Sequence, residues 1–307
     1  MARVAGALTA AGHGVTAAPT EGAGTAGEIA RERIASGADL ILALGGDGTL
    51  NEILPGIAHT DVPLGLIPAG TANVLARELG LGVNALRAAR RIGECVPRRI
   101  ALGLLRCEPG AQSRHFLLMA GVGLDAHIVY QLSLPLKARL GQAAYWAAGL
   151  RELTRKLDEF EAEANGEKFT ASFALASRVR NYAGYLQVAQ RASLLKPEFE
   201  FVLFEGASTT RHYGRHLAAV MLKRRENVRG MSFLQGHGMS FSGRPGTPVY
   251  VQVDGEYAGR LPASVEIVPD AVTLLIPPEY LEGEPDLLTP FEARRRARPV
   301  DSRRATG

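Results

Sequence analysis

Two short apolar runs, each ending at a glycine turn and followed by a helical pattern, constrain this chain more than any other feature. Leu40–Leu44 reads Leu-Ile-Leu-Ala-Leu without interruption, bounded by Asp39 and Gly45. Val62–Ile67 is a second run, leading into Pro68-Ala-Gly70-Thr71-Ala-Asn73. Runs of this length suit strands buried on both faces of a parallel sheet. Helical patterns accompany them at Met1–Ala11, Thr25–Ser36 (ended by Gly37), Asn51–Ala58 and Ala72–Leu79, and Gly14–Ala18 reads as a further short strand. The alternation predicts a doubly wound α/β unit.

The first run opens onto Gly45-Gly46-Asp47-Gly48-Thr49-Leu50-Asn51-Glu52. Glycines let the backbone approach a bulky anion, and a following helix start aims amide N–H groups at it, so a phosphate cradle is expected. Asp47 falls at the strand's C-terminal edge, where open α/β sheets bind ligands. A carboxylate there repels phosphate unless a cation lies between them, and Mg²⁺ on a nucleotide supplies one. A plain tight turn with Asp47 as helix N-cap accounts for the same residues. The second glycine turn shifts the balance, because two strand–turn–helix units side by side can face one ligand. Neither of these two turns carries a GxxxxGK[ST] or a GxGxxG pattern, so the cradle is not a P-loop or a dinucleotide fingerprint.

Beyond Gly93–Pro97 the pattern changes. Strand-like segments follow at Arg99–Arg106, His115–Ala120, Phe169–Val179, Tyr185–Val188, Glu198–Leu203, Val249–Val253, Ser264–Ile267 and Val272–Ile276. A β-rich sandwich is expected, interrupted by one helical insertion over Leu134–Leu157. Asp254-Gly255 reads as a hairpin turn when taken alone.

Of 307 residues 46% are hydrophobic and 21% charged, which excludes a disordered chain. The net charge is +4, and the six arginines and two acids of residues 291–307 account for all of it. A neutral body argues against nucleic-acid binding, while the basic tail suits an anionic surface. Cys95 and Cys107 are too few for a disulfide scaffold or a cysteine zinc site and fit a reducing cytosol. No apolar run of about 20 residues exists to span a bilayer. His212 and His216 stand four apart without further ligands, and we assign no histidine to catalysis or metal.

Gly45–Glu52 together with Pro68-Ala-Gly-Thr-Ala-Asn-Val-Leu-Ala-Arg-Glu-Leu-Gly80 resembles the diacylglycerol kinase catalytic-domain family, which includes bacterial lipid kinases and sphingosine and ceramide kinases. Ala120-Gly-Val-Gly-Leu-Asp125-Ala126, Gly141-Gln-Ala-Ala-Tyr145 and Val253-Asp254-Gly255-Glu256 resemble its later motifs, and the last of these favours the lipid-kinase branch over NAD kinases. The resemblance implies a two-domain α+β protein. An α/β, NAD kinase/diacylglycerol kinase-like ATP domain would occupy residues 1–97. A β-rich lipid domain would occupy 98–290, its last segment returning to the first, and a basic disordered tail 291–307.

It also implies ATP and Mg²⁺ as cofactors and a lipid hydroxyl, diacylglycerol or sphingoid, as acceptor. Matched to the ATP site are Thr20, Gly45, Gly46, Asp47, Gly48, Thr49, Leu50, Asn51, Glu52, Gly70, Thr71 and Asn73. Matched to the chemistry are Asp47 and the acidic pair Asp254 and Glu256, with Glu256 preferred as proton acceptor and Asp254 as the alternative. The expected setting is cytoplasmic, peripheral to the inner face of the membrane, with no nucleic-acid partner and a homodimer left open. Two alternatives stand beside this: an NAD kinase-like small-molecule kinase, and a catalytically impaired lipid-binding homologue.

Three departures from the family are visible. A first strand ending in an Asn-Pro-x-x-Gly loop is missing, since Met1 falls where the first helix starts. Lys196, in Ala192-Ser193-Leu-Leu-Lys196-Pro-Glu198, stands near an expected acid of a structural Mg²⁺ site, so no metal is assigned at Ser193, Lys196 and Glu198. Ala101 replaces a frequent Asp. On the lipid side, residues 127–157 carry Tyr130, Tyr145 and Trp146 with Lys137, Arg139, Arg151, Arg155 and Lys156, a composition for a membrane interface or an amphipathic helix.

Overall fold

The computed structural model describes residues 1–107, 112–124, 126, 158–182, 186–206, 216, 228–244 and 246–283. The expected helical insertion, Asp125, His212 and the basic tail lie outside the described residues.

The N-terminal part alternates as its periodicity predicts: α1 (Ala2–Ala10), α2 (Ala26–Ala35), β1 (Ile41–Gly45), α3 (Asp47–Ile57), β2 (Leu64–Pro68), α4 (Val74–Glu78) and α5 (Ala85–Arg91). β1 and β2 pair in parallel from Ile41↔Leu64 to Gly45↔Pro68. That register ends both strands at the same level, so their glycine turns emerge side by side. β1 is the edge strand of the sheet. Gly14–Ala18, expected as a strand, is irregular chain. A short strand is held by its ladder, and this segment has none.

The second part is β-rich. It runs β3 (Val96–Cys107), β4 (Arg114–Phe116), β5 (Met119–Gly123), β6 (Phe160–Ala164), β7 (Glu167–Ser177), β8 (Asn181–Tyr182), β9 (Leu186–Gln187), β10 (Phe199–Glu205), β11 (Met231–Gly236), β12 (Gly238–Gly243), β13 (Tyr250–Val253), β14 (Glu256–Arg260) and β15 (Ala263–Ile276). A closing helix, α6 (Pro278–Glu282), starts with proline in its first turn, where the missing N–H costs nothing. Ser264–Ile267 and Val272–Ile276 are one strand, β15, with a register shift between Val268 and Val272 and Asp270 at φ 47° inside it. β15 lies antiparallel to β3 over its length, and Leu274 also pairs in parallel with Leu64 of β2. The chain's last long strand thereby joins the β-rich ladder to the N-terminal sheet.

Two main apolar clusters follow. One is shared across that junction by Leu54, Ile57, Leu75, Leu102, Val202 and Leu274. The other is built from the inward positions of the β-rich ladder, among them Phe116, Phe160, Phe199 and Val251.

Candidate active site

The two glycine turns touch. A Cβ on Gly46 would stand 3.0 Å from the Cα of Gly70, and a Cβ on Gly70 would stand 2.5 Å from the Cα of Gly46. Only glycine on both sides allows this approach. Parallel pairing continues one step past the strands, where the Ala69 N–H donates to the Gly45 carbonyl at 2.8 Å.

α3 starts four residues earlier than the sequence pattern indicates. Gly46 is its N-cap and Asp47 its first residue, so the glycine turn is itself the first helical turn. The first bond of its ladder runs from Leu50 N–H to the Gly46 carbonyl at 3.2 Å. The N–H groups of Gly48 and Thr49 precede that bond at the helix start, which is anion-binding geometry, while the Asp47 N–H meets its own carboxylate.

Asp47 ties the turns together. One carboxylate oxygen accepts the Val74 N–H at 2.9 Å and the other accepts the Leu75 N–H at 3.1 Å. Burial raises its pKa, and those two amides oppose the rise. Asn73 locks the second turn. Its backbone is left-handed, its Oδ1 accepts the Gly70 N–H at 2.9 Å, and its Nδ2 donates to the Gly70 carbonyl at 2.8 Å. Thr71 is exposed beside it. Leu50 lies in the apolar core at 1% exposure and its N–H is used in the helix, so it serves packing. Glu52 is half-buried on α3. Asn51 is buried, and among the described residues neither its Oδ1 nor its Nδ2 has a partner. It stands four residues after Asp47, on the same face of α3. Thr20 is exposed in the irregular segment before α2, and among the described residues no hydrogen bond ties it to either turn.

The acidic pair reaches the same cleft from β13 and β14. Asp254 and Gly255 both have positive φ, 48° and 82°, and Val253 pairs with Glu256 across them. The segment is thus a tight hairpin turn, the geometry that Asp-Gly favours. Asp254 accepts three amides: Leu117 at 3.0 Å, Leu118 at 3.1 Å and Met119 at 2.8 Å. Its own N–H donates to the Met119 carbonyl at 2.9 Å. Burial pushes its carboxyl up to about 7 against the pull of those amides, and the Asp47 charge adds a smaller upward push.

Glu256 is differently placed. Its Oε2 accepts Arg114 Nη2 at 3.0 Å, while its Oε1 lies 3.1 Å from the position a Cβ on Gly48 would take. Gly48 therefore leaves room for a carboxylate directly over the first glycine turn. Sequence reasoning missed Arg114. The residue opens the three-residue strand β4, and nothing local marks it. Its Nη1 also donates to the Tyr257 carbonyl at 3.1 Å, which aims the guanidinium along the edge of the cleft.

The turn at 193–196 does not fit a metal. The Ser193 hydroxyl accepts the Leu195 N–H at 3.1 Å, and the Leu194 carbonyl accepts Arg178 Nη2 at 2.8 Å. The cation facing this turn is the fully buried Arg178, rather than the Lys196 the sequence points to, and burial lowers its guanidinium to about 10. Glu198 is engaged by Gln235 at 3.2 Å. A divalent ion beside a buried guanidinium would meet like charge. Among the described residues no cluster of three His, Cys, Asp or Glu side chains could hold a metal. No helix among them is long and apolar enough to cross a membrane.

Comparison with known proteins bears on this geometry. Residues 1–105 match the family model of the diacylglycerol kinase catalytic domain. The diacylglycerol kinase of Bacillus subtilis (strain 168) is 28% identical over 288 residues, covering 92% of this chain and 92% of the relative. That of Staphylococcus saprophyticus subsp. saprophyticus is 30% identical over 264 residues, covering 84% of this chain and 83% of the relative. A crystal structure of a diacylglycerol kinase from Bacillus anthracis str. Sterne shares the fold with a TM-score of 0.66 at 21% identity, covering 84% of each chain. With two touching glycine turns, an acidic hairpin above them and relatives matched over most of their length, the chain belongs to the diacylglycerol kinase catalytic-domain family.

Proposed function

We propose that this protein transfers the γ-phosphate of ATP to the hydroxyl of a lipid of the diacylglycerol type. The observation that carries the reading is the convergence of Gly46, Gly70 and Glu256 on one cleft: two backbone cradles on one side and a carboxylate on the other. Phosphoryl transfer asks for positioning, charge neutralisation and a proton acceptor, and little else. Backbone N–H groups of Gly48 and Thr49 hold the phosphates, with the exposed Thr71 beside them.

Glu256 takes the hydroxyl proton at Oε1. Arg114 holds its other oxygen and brings positive charge to the developing phosphate charge. Asp254, with both oxygens on backbone amides, holds the hairpin in register so that Glu256 is presented to Gly48. Mg²⁺ arriving with ATP would be held mainly by phosphate and water, with Asp47 and the unpartnered amide of Asn51 on the adjoining face of α3. When bound, the ion neutralises phosphate charge.

The remaining expectations stay part of this reading: an ATP unit at 1–97, a lipid unit at 98–290, and a peripheral position on an anionic membrane aided by the tail. The test is transfer of labelled phosphate from Mg-ATP to a panel of diacylglycerol, sphingosine, ceramide and NAD in mixed micelles. Labelled phosphatidic acid supports the reading. Label on NAD alone, or nucleotide binding with no transfer to any acceptor, overturns it.

A further inference from the structure

The chemistry above leaves the buried carboxylate of Glu78 unused. Glu78 is the last residue of α4, and its side chain has no exposed surface. Its Oε1 accepts Arg180 Nε at 2.8 Å. Its Oε2 accepts Asn181 Nδ2 at 2.7 Å and the main-chain N–H groups of Arg180 and Asn181 at 3.1 and 3.2 Å. Tyr280 of α6 places its hydroxyl 3.5 Å from Oε1, and the Arg180 guanidinium lies over the Tyr280 ring at 5.5 Å. One side chain thus gathers three segments separated by 102 and 202 residues in sequence.

Helix stability does not explain this placement. A negative charge at a helix C-terminus opposes the macrodipole. Burying a carboxylate is costly unless its lone pairs are filled, and here they are filled by donors from outside the helix. The position therefore serves the contact across the chain. The other end of α4 shows what the contact holds. Val74 and Leu75 donate to Asp47, and Asn73 closes the Gly70 turn immediately before them. The five residues from Val74 to Glu78 span about 6 Å, four rises of the helix. A one-turn helix so short transmits any displacement of one end to the other.

We infer that Glu78 is a positioning residue for nucleotide binding: by anchoring α4 to Arg180, Asn181 and α6, it fixes how the Gly70 turn meets Gly46. The kinetic consequence rests on the proposed kinase function, but the structural claim does not.

The experiment therefore reads nucleotide binding as well as turnover. Glu78→Gln keeps the shape and removes the charge. It is expected to weaken binding of a fluorescent ATP analogue, and to raise the KM for ATP, by about tenfold, with the KM for lipid within about twofold of wild type. Arg180→Gln, at a residue 28% exposed, should weaken nucleotide binding in the same direction by a smaller factor. Combining the two should cost less than the product of the single effects, because both changes act on the same Glu78–Arg180 contact. If Glu78→Gln fails to fold, Arg180→Gln alone decides. Unchanged nucleotide affinity in the variants that fold overturns the inference, as does a lowered melting temperature with both KM values unmoved. Wild-type protein that binds ATP and phosphorylates no lipid removes the kinase reading and leaves this inference standing on the affinity data.

Discussion

At the residue scale the two acids of the hairpin divide the work by their hydrogen bonds. Among the described residues Glu256 keeps one oxygen free, whereas Asp254 has three amides on its two. Glu256→Gln should lower kcat by about 10²–10⁴, the range for loss of a general base, with nucleotide affinity retained. Equal kcat in wild type and variant would remove Glu256 from the chemistry. Asp254 makes a different prediction, about pH and stability. Its carboxyl holds a proton up to about 7 when folded and releases it near 3.8 when unfolded. The unfolded chain therefore binds fewer protons between those values, and the contribution of Asp254 to stability falls as pH rises from 4 to 7. Melting temperatures of wild type and Asp254→Asn, compared across that window, should show the variant lacking this downward component. Parallel curves would contradict it.

At the element scale the decisive contact is backbone against backbone. Gly70→Ala places a methyl group 2.5 Å from the Cα of Gly46, so the turns must separate. ATP affinity should fall at least about tenfold with a stability loss of about 1–3 kcal/mol, the usual cost of overpacking. Gly93→Ala, with nothing within 4 Å of its Cβ, serves as the control and should leave both unchanged.

The strands carrying these turns were legible because Leu40–Leu44 and Val62–Ile67 are unbroken apolar runs, although only β2 is buried throughout, while β1, at the sheet edge, is half-buried except at Ala43. The true start of α3 was not, because Gly46 and Gly48 have poor helix propensity and read as loop. The helix starts there because Gly46, its extended N-cap, accepts the first ladder bond and Asp47 is held from α4. β6 was missed as well, although its alternation of buried and exposed residues is regular. Its Phe-Glu-Ala-Glu-Ala composition favours a helix, and pairing with β7 and β12 overrides that preference. Arg114 was invisible because its importance depends on a contact 142 residues away.

At the scale of the whole molecule, β15 joins the two parts into one sheet. Leu274 has no exposed surface and pairs with β2 from within a strand whose other partners are β3 and β12. Leu274→Ala should cost about 2–5 kcal/mol and lower the unfolding transition of both parts together. A loss confined to the N-terminal helices would show that the parts unfold independently. Because Arg178 occupies the space facing Leu194, no structural metal is needed at that turn, and a chelator in the absence of nucleotide should shift the melting temperature by less than about 1 °C. A large drop would reveal a bound ion.

The claim beneath all of this is that the Gly46 and Gly70 turns grip the same triphosphate. Amide hydrogen exchange, followed as Mg-ATP is added, tests it most directly. The account predicts that peptides covering residues 46–51 and 69–75 gain protection together, with one nucleotide midpoint. Protection of one peptide without the other, or of neither at saturating nucleotide, would contradict it.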